Sequence, residues 1–205
     1  MRMSVAVGAP AKLVVRNTGA IAGATAGYQK VLGDMRGVYR DGAAHQRQVD
    51  LRGPDHPVYR VEEHRLLEDD GALIIGTSTL LPGRVGQEFA MTRGHLHARA
   101  NRAELYHCLS GRGVLLLETL DGGCEAIELT PGEAAHVPGH WVHRSINVGD
   151  EPFVTLFCYP ADAGQNYALI EKAGGMAHLV LEDSGRGWTL GANPDHIGYQ
   201  TPLST

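Results

Sequence analysis

The sequence is short of cysteine, of aromatic residues and of long apolar runs. Its three cysteines, Cys108, Cys124 and Cys158, are odd in number and lack CxxC spacing, which speaks against a disulfide framework and fits reduced thiols in a cytoplasm. No apolar stretch approaches the roughly 20 residues that a membrane-crossing helix needs. The amino-terminal MRMSVAVGAPAKLVVRNTG is broken by Gly8, Pro10 and Lys12, where a secretory leader has a continuous apolar centre. Positive charge is also scarce: 18 Lys and Arg against 23 Asp and Glu give a net charge of -5. Affinity for nucleic acid through phosphate neutralisation is thereby disfavoured, which leaves room only for a local basic pocket. The expectation is a cytoplasmic protein with no nucleic-acid and no membrane partner.

Glycine and proline, by contrast, are plentiful, at 27 and 10 of 205 residues. They separate runs of four to eight residues rich in Val, Ile, Leu, Thr and Tyr, the pattern of an antiparallel sandwich or barrel. Strands are expected at Val58–Val61, Ala72–Leu80, Glu104–Leu109, Gly113–Thr119, Ala126–Leu129, Ala134–Val137 and Phe153–Tyr159. Turns fall at 82-PG-83, 121-DGG-123, 131-PG-132 and 149-GDEP-152. Helical periodicity is weaker. Tyr28, Val31, Leu32 and Met35 share an i, i+3, i+4, i+7 spacing, and a short helix is expected over Tyr167–Ala173, closed by Gly174 and Gly175. The segment 19-GAIAGATAG-27 reads as a loop, and the residues from Asn193 onward read as a loosely held tail. The length suits one core with an elaborated end better than two equal domains.

Chemistry concentrates in 93-RGHLHARANRAELYHCLSGRG-113. His95 and His97, two apart, project from one face of a strand, and Glu104 has room after a turn to converge on them from the next strand. With eleven histidines in the chain, an HxH pair by itself carries little. The independent block 138-PGHWVHRSIN-147 adds His140 and His143. Three imidazoles and a carboxylate on adjacent strands form a shell suited to a divalent transition metal. Tyr106 shares the face of Glu104, as does Cys108, which suits a small interior filler. His107 points the other way. Tyr159 alternates with Phe153, Thr155 and Phe157, a pattern that by itself fits a core residue better than a ligand. His136 and His140 are candidates to stand behind the metal ligands, and Asn147 to cap a loop.

GHLH with Glu104 and Gly111, followed by Gly132, Pro138, His143 and Asn147, resembles the two motifs of the cupin superfamily. The gap between His97 and Glu104 is longer than in most cupins, and His140 stands where glycine is usual. Both departures point to one branch, the cupin-type glucose-6-phosphate isomerases of archaea and some bacteria. Further blocks of likeness are 33-GDMRGVY-39, 55-DHPVYRV-61, 82-PGRVGQEFAMTRG-94, 136-HVPGHWVHRSINVGDEPF-153 and 159-YPADAGQNY-167.

That resemblance implies an all-β cupin fold, a double-stranded β-helix or jelly-roll barrel with short flanking helices. It would span 1–205 as one domain, with a barrel core at about 56–160, an N-terminal extension over 1–55 and a C-terminal segment over 161–205. It implies one divalent metal per subunit, Fe²⁺ first with Mn²⁺, Ni²⁺ or Zn²⁺ as alternatives, held by His95, His97, Glu104 and His143. It implies a sugar-phosphate substrate whose phosphate meets Tyr59, Thr77 or Ser78, Thr92 and Gly94, and whose sugar meets Tyr106, Tyr159 and Tyr167. Glu104 is the implied catalytic base of an aldose–ketose isomerisation between glucose 6-phosphate and fructose 6-phosphate, by an enediolate or a metal-assisted hydride shift. A place in glycolysis and gluconeogenesis and a homodimer are implied as well. One family position departs: a histidine usually follows DAG, and here stands Gln165. Two other classes stay open on the residues alone. A three-His, one-Glu shell also suits another cupin enzyme, such as a dioxygenase or an isomerase of a different sugar phosphate, and a non-catalytic sugar-binding cupin is the third reading.

Overall fold

A computed structural model describes residues 9–65 and 71–200. The first eight residues of the amino-terminal stretch, and the last five of the expected tail, lie outside the described residues. In chain order the strands are β1 (Val14–Val15), β2 (Ile21–Ala22), β3 (Ala26–Val31), β4 (Pro57–His64), β5 (Leu73–Leu80), β6 (Arg84–Val85), β7 (Glu88–Phe89), β8 (Glu104–Ser110), β9 (Gly113–Thr119), β10 (Cys124–Leu129), β11 (Ala134–Val137), β12 (Trp141–Asn147), β13 (Phe153–Pro160), β14 (His178–Asp183) and β15 (Gly187–Ala192). A 3₁₀ turn (Leu32–Met35) and α1 (Gly42–Arg52) precede β4, and α2 (Ala168–Lys172) follows β13.

Among the described residues every strand pair is antiparallel. A six-stranded sheet of order β11-β8-β13-β5-β4-β3 faces a three-stranded sheet of order β10-β9-β12, and a third sheet, β15-β14-β7-β6, lies outside. This is the jelly-roll architecture of the cupins. The core between the sheets includes Phe153, Ile74, Leu80 and Ile146, each at most 1% exposed. β9 explains the layering. Its run Val114-Leu115-Leu116-Leu117 is buried on both faces, so it needs cover on the side away from the barrel as well. The β14–β15 hairpin helps supply that cover: Trp188 Nε1 donates to Glu128 on β10 at 2.6 Å, and the backbone N–H groups of Ala177 and His178 donate to Glu118 at 2.9 and 2.8 Å. Each fully buried Leu or Val adds about 1.5–3 kcal/mol relative to exposure.

The expected strands are present with bounds shifted by at most three residues. Three local expectations are corrected. Tyr28–Met35 is not a helix: Ala26–Val31 pairs with β4, and only Leu32–Met35 turns as 3₁₀. The ladder outweighs a helical spacing that was coincidental, since Tyr28 is 39% exposed. The 19–27 segment is not wholly a loop, because Ile21–Ala22 pairs with Val14–Val15. The residues after Asn193 are held down: Asn193 is buried and donates to Gly174 O and Met176 O, Ile197 N–H bonds Ala173 O, and the Tyr199 hydroxyl reaches Glu118. The helix α1 has no apolar stripe to reveal it. Its ends are set by Asp41, whose Oδ1 caps Ala44 N–H at 2.7 Å, and by Gly53, at a φ of 89°.

Candidate metal centre

His95 and His97 lie on a segment that runs beside β12 through single bridges, Met91 to Ile146 and His95 to His143. His95 and His143 exchange backbone hydrogen bonds of 3.0 and 2.9 Å. Glu104, at the start of β8, comes from the opposite sheet. The four side chains converge inside one end of the barrel, each with a ligand atom within 4.8 Å of the others. His143 Nε2 is 3.0 Å from Glu104 Oε2, and His97 Nε2 is 3.2 Å from the same oxygen.

The second nitrogens are already engaged. His97 Nδ1 is 2.8 Å from Arg102 O, and His143 Nδ1 is 3.0 Å from Trp141 O. A protonated Nδ1 donating to a carbonyl leaves the Nε2 lone pair free. His95 Nε2 and His97 Nε2 are buried without a hydrogen-bond partner, which is costly unless a further atom is bound there. Burial and the adjacent His143 push the His95 pKa well below its ordinary value, so its imidazole is neutral. Burial opposes ionisation of Glu104, but the histidines around it win and hold its pKa at about 2. Imidazole nitrogens around an ionised carboxylate are the donor set of a borderline divalent cation. The residues fit a metal.

The long gap after His97 has a physical role. Asp162, in the loop after β13, accepts from Arg102 Nε and Nη2 at 2.9 and 2.6 Å and from Arg99 at 2.5 Å, clamping the loop whose Arg102 carbonyl orients His97. His140, at the position where related motifs have glycine, keeps a glycine-like φ of 71°. It is exposed, as is His136, so neither stands behind the ligands. Asn147 caps a turn, donating to Leu80 O and Glu151 O and accepting from Gly149 N–H.

Beside the four ligands is a cavity whose wall includes His95 and Glu104. Of the residues assigned to the substrate, Tyr59, Ser78, Thr92, Gly94, Tyr106, Tyr159 and Tyr167 line it. Thr77 does not. It faces the other side of β5, where its hydroxyl bonds Gly19 O, because neighbouring strand residues point oppositely. Gly94, at a φ of 72°, is held so close to β12 that a Cβ would stand 3.1 Å from His143 O and Arg144. Burial, then the Glu104 charge, raise the Tyr106 pKa well above its usual value, so its hydroxyl stays a neutral donor.

Gln165, singled out as a departure from the resembling family, also lines this cavity, as do Tyr28, Glu63 and Arg93, which escaped the sequence reading. The Arg93 guanidinium lies 5.2 Å from the Tyr167 ring centroid, a cation at the wall of an acidic protein. Strand parity could have found Glu63, two and four residues from Val61 and Tyr59. Tyr28 was hidden by the mistaken helix.

The family model described as Glucose-6-phosphate isomerase (GPI) matches residues 29–196. The glucose-6-phosphate isomerase of Sinorhizobium medicae is 44% identical over 171 residues, covering 83% of this chain and 79% of that protein. Those of Thermococcus gammatolerans and Pyrococcus furiosus are 43% and 42% identical, each over 82% of this chain and over 86% and 87% of their own.

Proposed function

The chain belongs to the cupin-type glucose-6-phosphate isomerase family, and from that premise we propose that it interconverts glucose 6-phosphate and fructose 6-phosphate in a metal-dependent reaction at His95, His97, Glu104 and His143. The observation that carries the metal dependence is the pair of buried Nε2 atoms of His95 and His97 that make no hydrogen bond, gathered with Glu104 and His143 within 4.8 Å of one another. A bound divalent cation, Fe²⁺ first and Mn²⁺, Ni²⁺ or Zn²⁺ as alternatives, supplies a Lewis acid for the substrate carbonyl.

The chain's own residues do the rest. Ser78, Thr92 and Tyr59 offer hydroxyls and Gly94 a backbone N–H to the phosphate, with the Arg93 cation beside them. Binding energy from that remote group positions the reacting carbons. Tyr106, Tyr159 and Tyr167 take the sugar hydroxyls. Glu104, ionised and at the cavity wall, takes the proton from one of C1 and C2 and returns it to the other. The hydroxyl-lined cavity favours this reading over oxidation of an apolar substrate.

The direct test offers glucose 6-phosphate and fructose 6-phosphate with and without added metal, and after chelation. Interconversion without oxygen uptake, lost on chelation and restored by a divalent ion, is expected. Full activity in a metal-free preparation would rule out the metal dependence. A cytoplasmic role in glycolysis and gluconeogenesis follows from the same reading. For the homodimer, one supporting feature is a groove of about 490 Å³ on the outer face of the six-stranded sheet, its wall including Gln29, Arg60, Thr79 and Val154, cross-strand neighbours on β3, β4, β5 and β13. Light scattering in solution checks it.

A further inference from the structure

Two facts about the cavity are unused by the isomerisation step. The first is Glu63 on β4. It lies on the inward face with Tyr59 and Val61, its side chain is 8% exposed, and it lines the same cavity as His95 and Glu104. Among the described residues lining that cavity, Glu63 and Glu104 are the two carboxylates. Its Oε1 stands 3.4 Å from the Tyr159 hydroxyl and its Oε2 3.3 Å from Arg65 Nη2. A buried carboxylate is costly, and this one has been placed outside the metal shell and facing the substrate space.

The second is Gln165. The Tyr167 hydroxyl donates to its Oε1, which fixes the amide and leaves its NH₂ as the free hydrogen-bonding end. An amide can hold a substrate oxygen but can neither take nor release a proton. Hexose 6-phosphates exist almost wholly as closed rings, whereas isomerisation acts on the open chain. Ring opening therefore needs a proton carrier that Gln165 cannot be, and Glu104 is the carrier already assigned to the hydrogen transfer between C1 and C2.

We propose that Glu63 is the acid–base group that opens the sugar ring, a step separate from the hydrogen transfer at Glu104. The proposal rests on the isomerase reading of the same site. The Glu63 carboxylate takes the proton of the anomeric hydroxyl as the C1=O1 double bond forms. The C1–O5 bond breaks, its electron pair goes to O5, and O5 takes the proton from the Glu63 carboxyl, which returns to carboxylate. Tyr159, donating to Oε1, steadies the carboxylate. No oxidant or reductant takes part.

The test compares the parent with Glu63→Gln, which keeps size and shape, and Glu63→Asp, which keeps the carboxylate. Exchange NMR reads protein-catalysed interconversion of the α and β anomers of glucose 6-phosphate, and substrate deuterated at C2 reads the isotope effect on isomerisation. Glu63→Gln is expected to slow anomer exchange by about 100-fold. Its isotope effect should fall towards unity, because ring opening then limits the rate. Glu63→Asp should recover part of the exchange. Unchanged anomer exchange in Glu63→Gln overturns the proposal, as does an equal loss of both activities with an undiminished isotope effect. A parent protein that opens rings without isomerising sinks the isomerase reading and leaves this assignment standing.

Discussion

His95 and His143 face each other across an antiparallel bridge, with backbone hydrogen bonds of 3.0 and 2.9 Å and ring centroids 4.4 Å apart. Their placement is therefore made by the main chain, not by the imidazoles. Replacing His143 by alanine should remove a ligand while leaving the segment in place. Bound metal, measured by elemental analysis after dialysis, should fall by more than the roughly 10–100-fold typical of losing an outer partner. The far-ultraviolet circular dichroism should be unchanged.

Asp162 bonds Arg99 and Arg102 and so holds the loop whose carbonyl orients His97. Asp162→Ala should weaken metal affinity by about 10–100-fold, with KM for sugar phosphate nearly unchanged once metal is saturating. A metal titration followed by kinetics separates the two. Equal metal affinity in the variant and the parent would show that the clamp does not govern His97.

Thr77 and Ser78 are neighbours with opposite duties. Ser78→Ala should raise KM for glucose 6-phosphate and leave kcat close to the parent value, since the phosphate is remote from the reacting carbons. Thr77→Ala should leave kinetics alone and lower stability by about 1 kcal/mol through the lost bond to Gly19 O, read as a shifted denaturation midpoint. The reverse pattern would mean the faces are exchanged.

Glu104→Gln should cut turnover by about 100-fold or more while substrate binding changes little, measured with metal occupancy checked in the same sample. Incorporation of solvent deuterium at C2 should disappear with it. Undiminished incorporation would remove Glu104 as the base, and no incorporation even in the parent would favour a direct hydride transfer.

The sheet framework was legible because glycine and proline mark the strand ends, and because β9 and β13 are apolar enough to be recognised alone. The grouping of His95, His97, Glu104 and His143 was legible from strand parity and two independent motifs. Other elements left weaker traces. In α1, GAAHQRQVDLR buries only Ala44 and His45, so no period-3.6 stripe exists to find, and only its caps identify it. β3 pairs on one side and is largely exposed, so AGYQKV shows no alternation, and Tyr28 was misplaced with it. Parity shows that Thr77 and Ser78 point oppositely but not which points inward, since that depends on the register with β4 and β13. The role of Arg102 lies in its carbonyl, which no side-chain pattern reveals.

Glu118 gathers the N–H groups of Ala177 and His178, the His178 ring and the Tyr199 hydroxyl onto one buried carboxylate. It sits on β9 opposite Val142, the residue before His143. During synthesis on the ribosome, β9 and β12 emerge with this carboxylate still lacking the donors that arrive some 60 to 80 residues later. The strand that pairs with the fourth ligand's strand is thus tied by this side chain to the C-terminal hairpin and Tyr199. A chain cut before Ala177 would leave that carboxylate buried beside the strand of the fourth ligand without these donors, a cost borne at the metal centre by residues far from it in sequence.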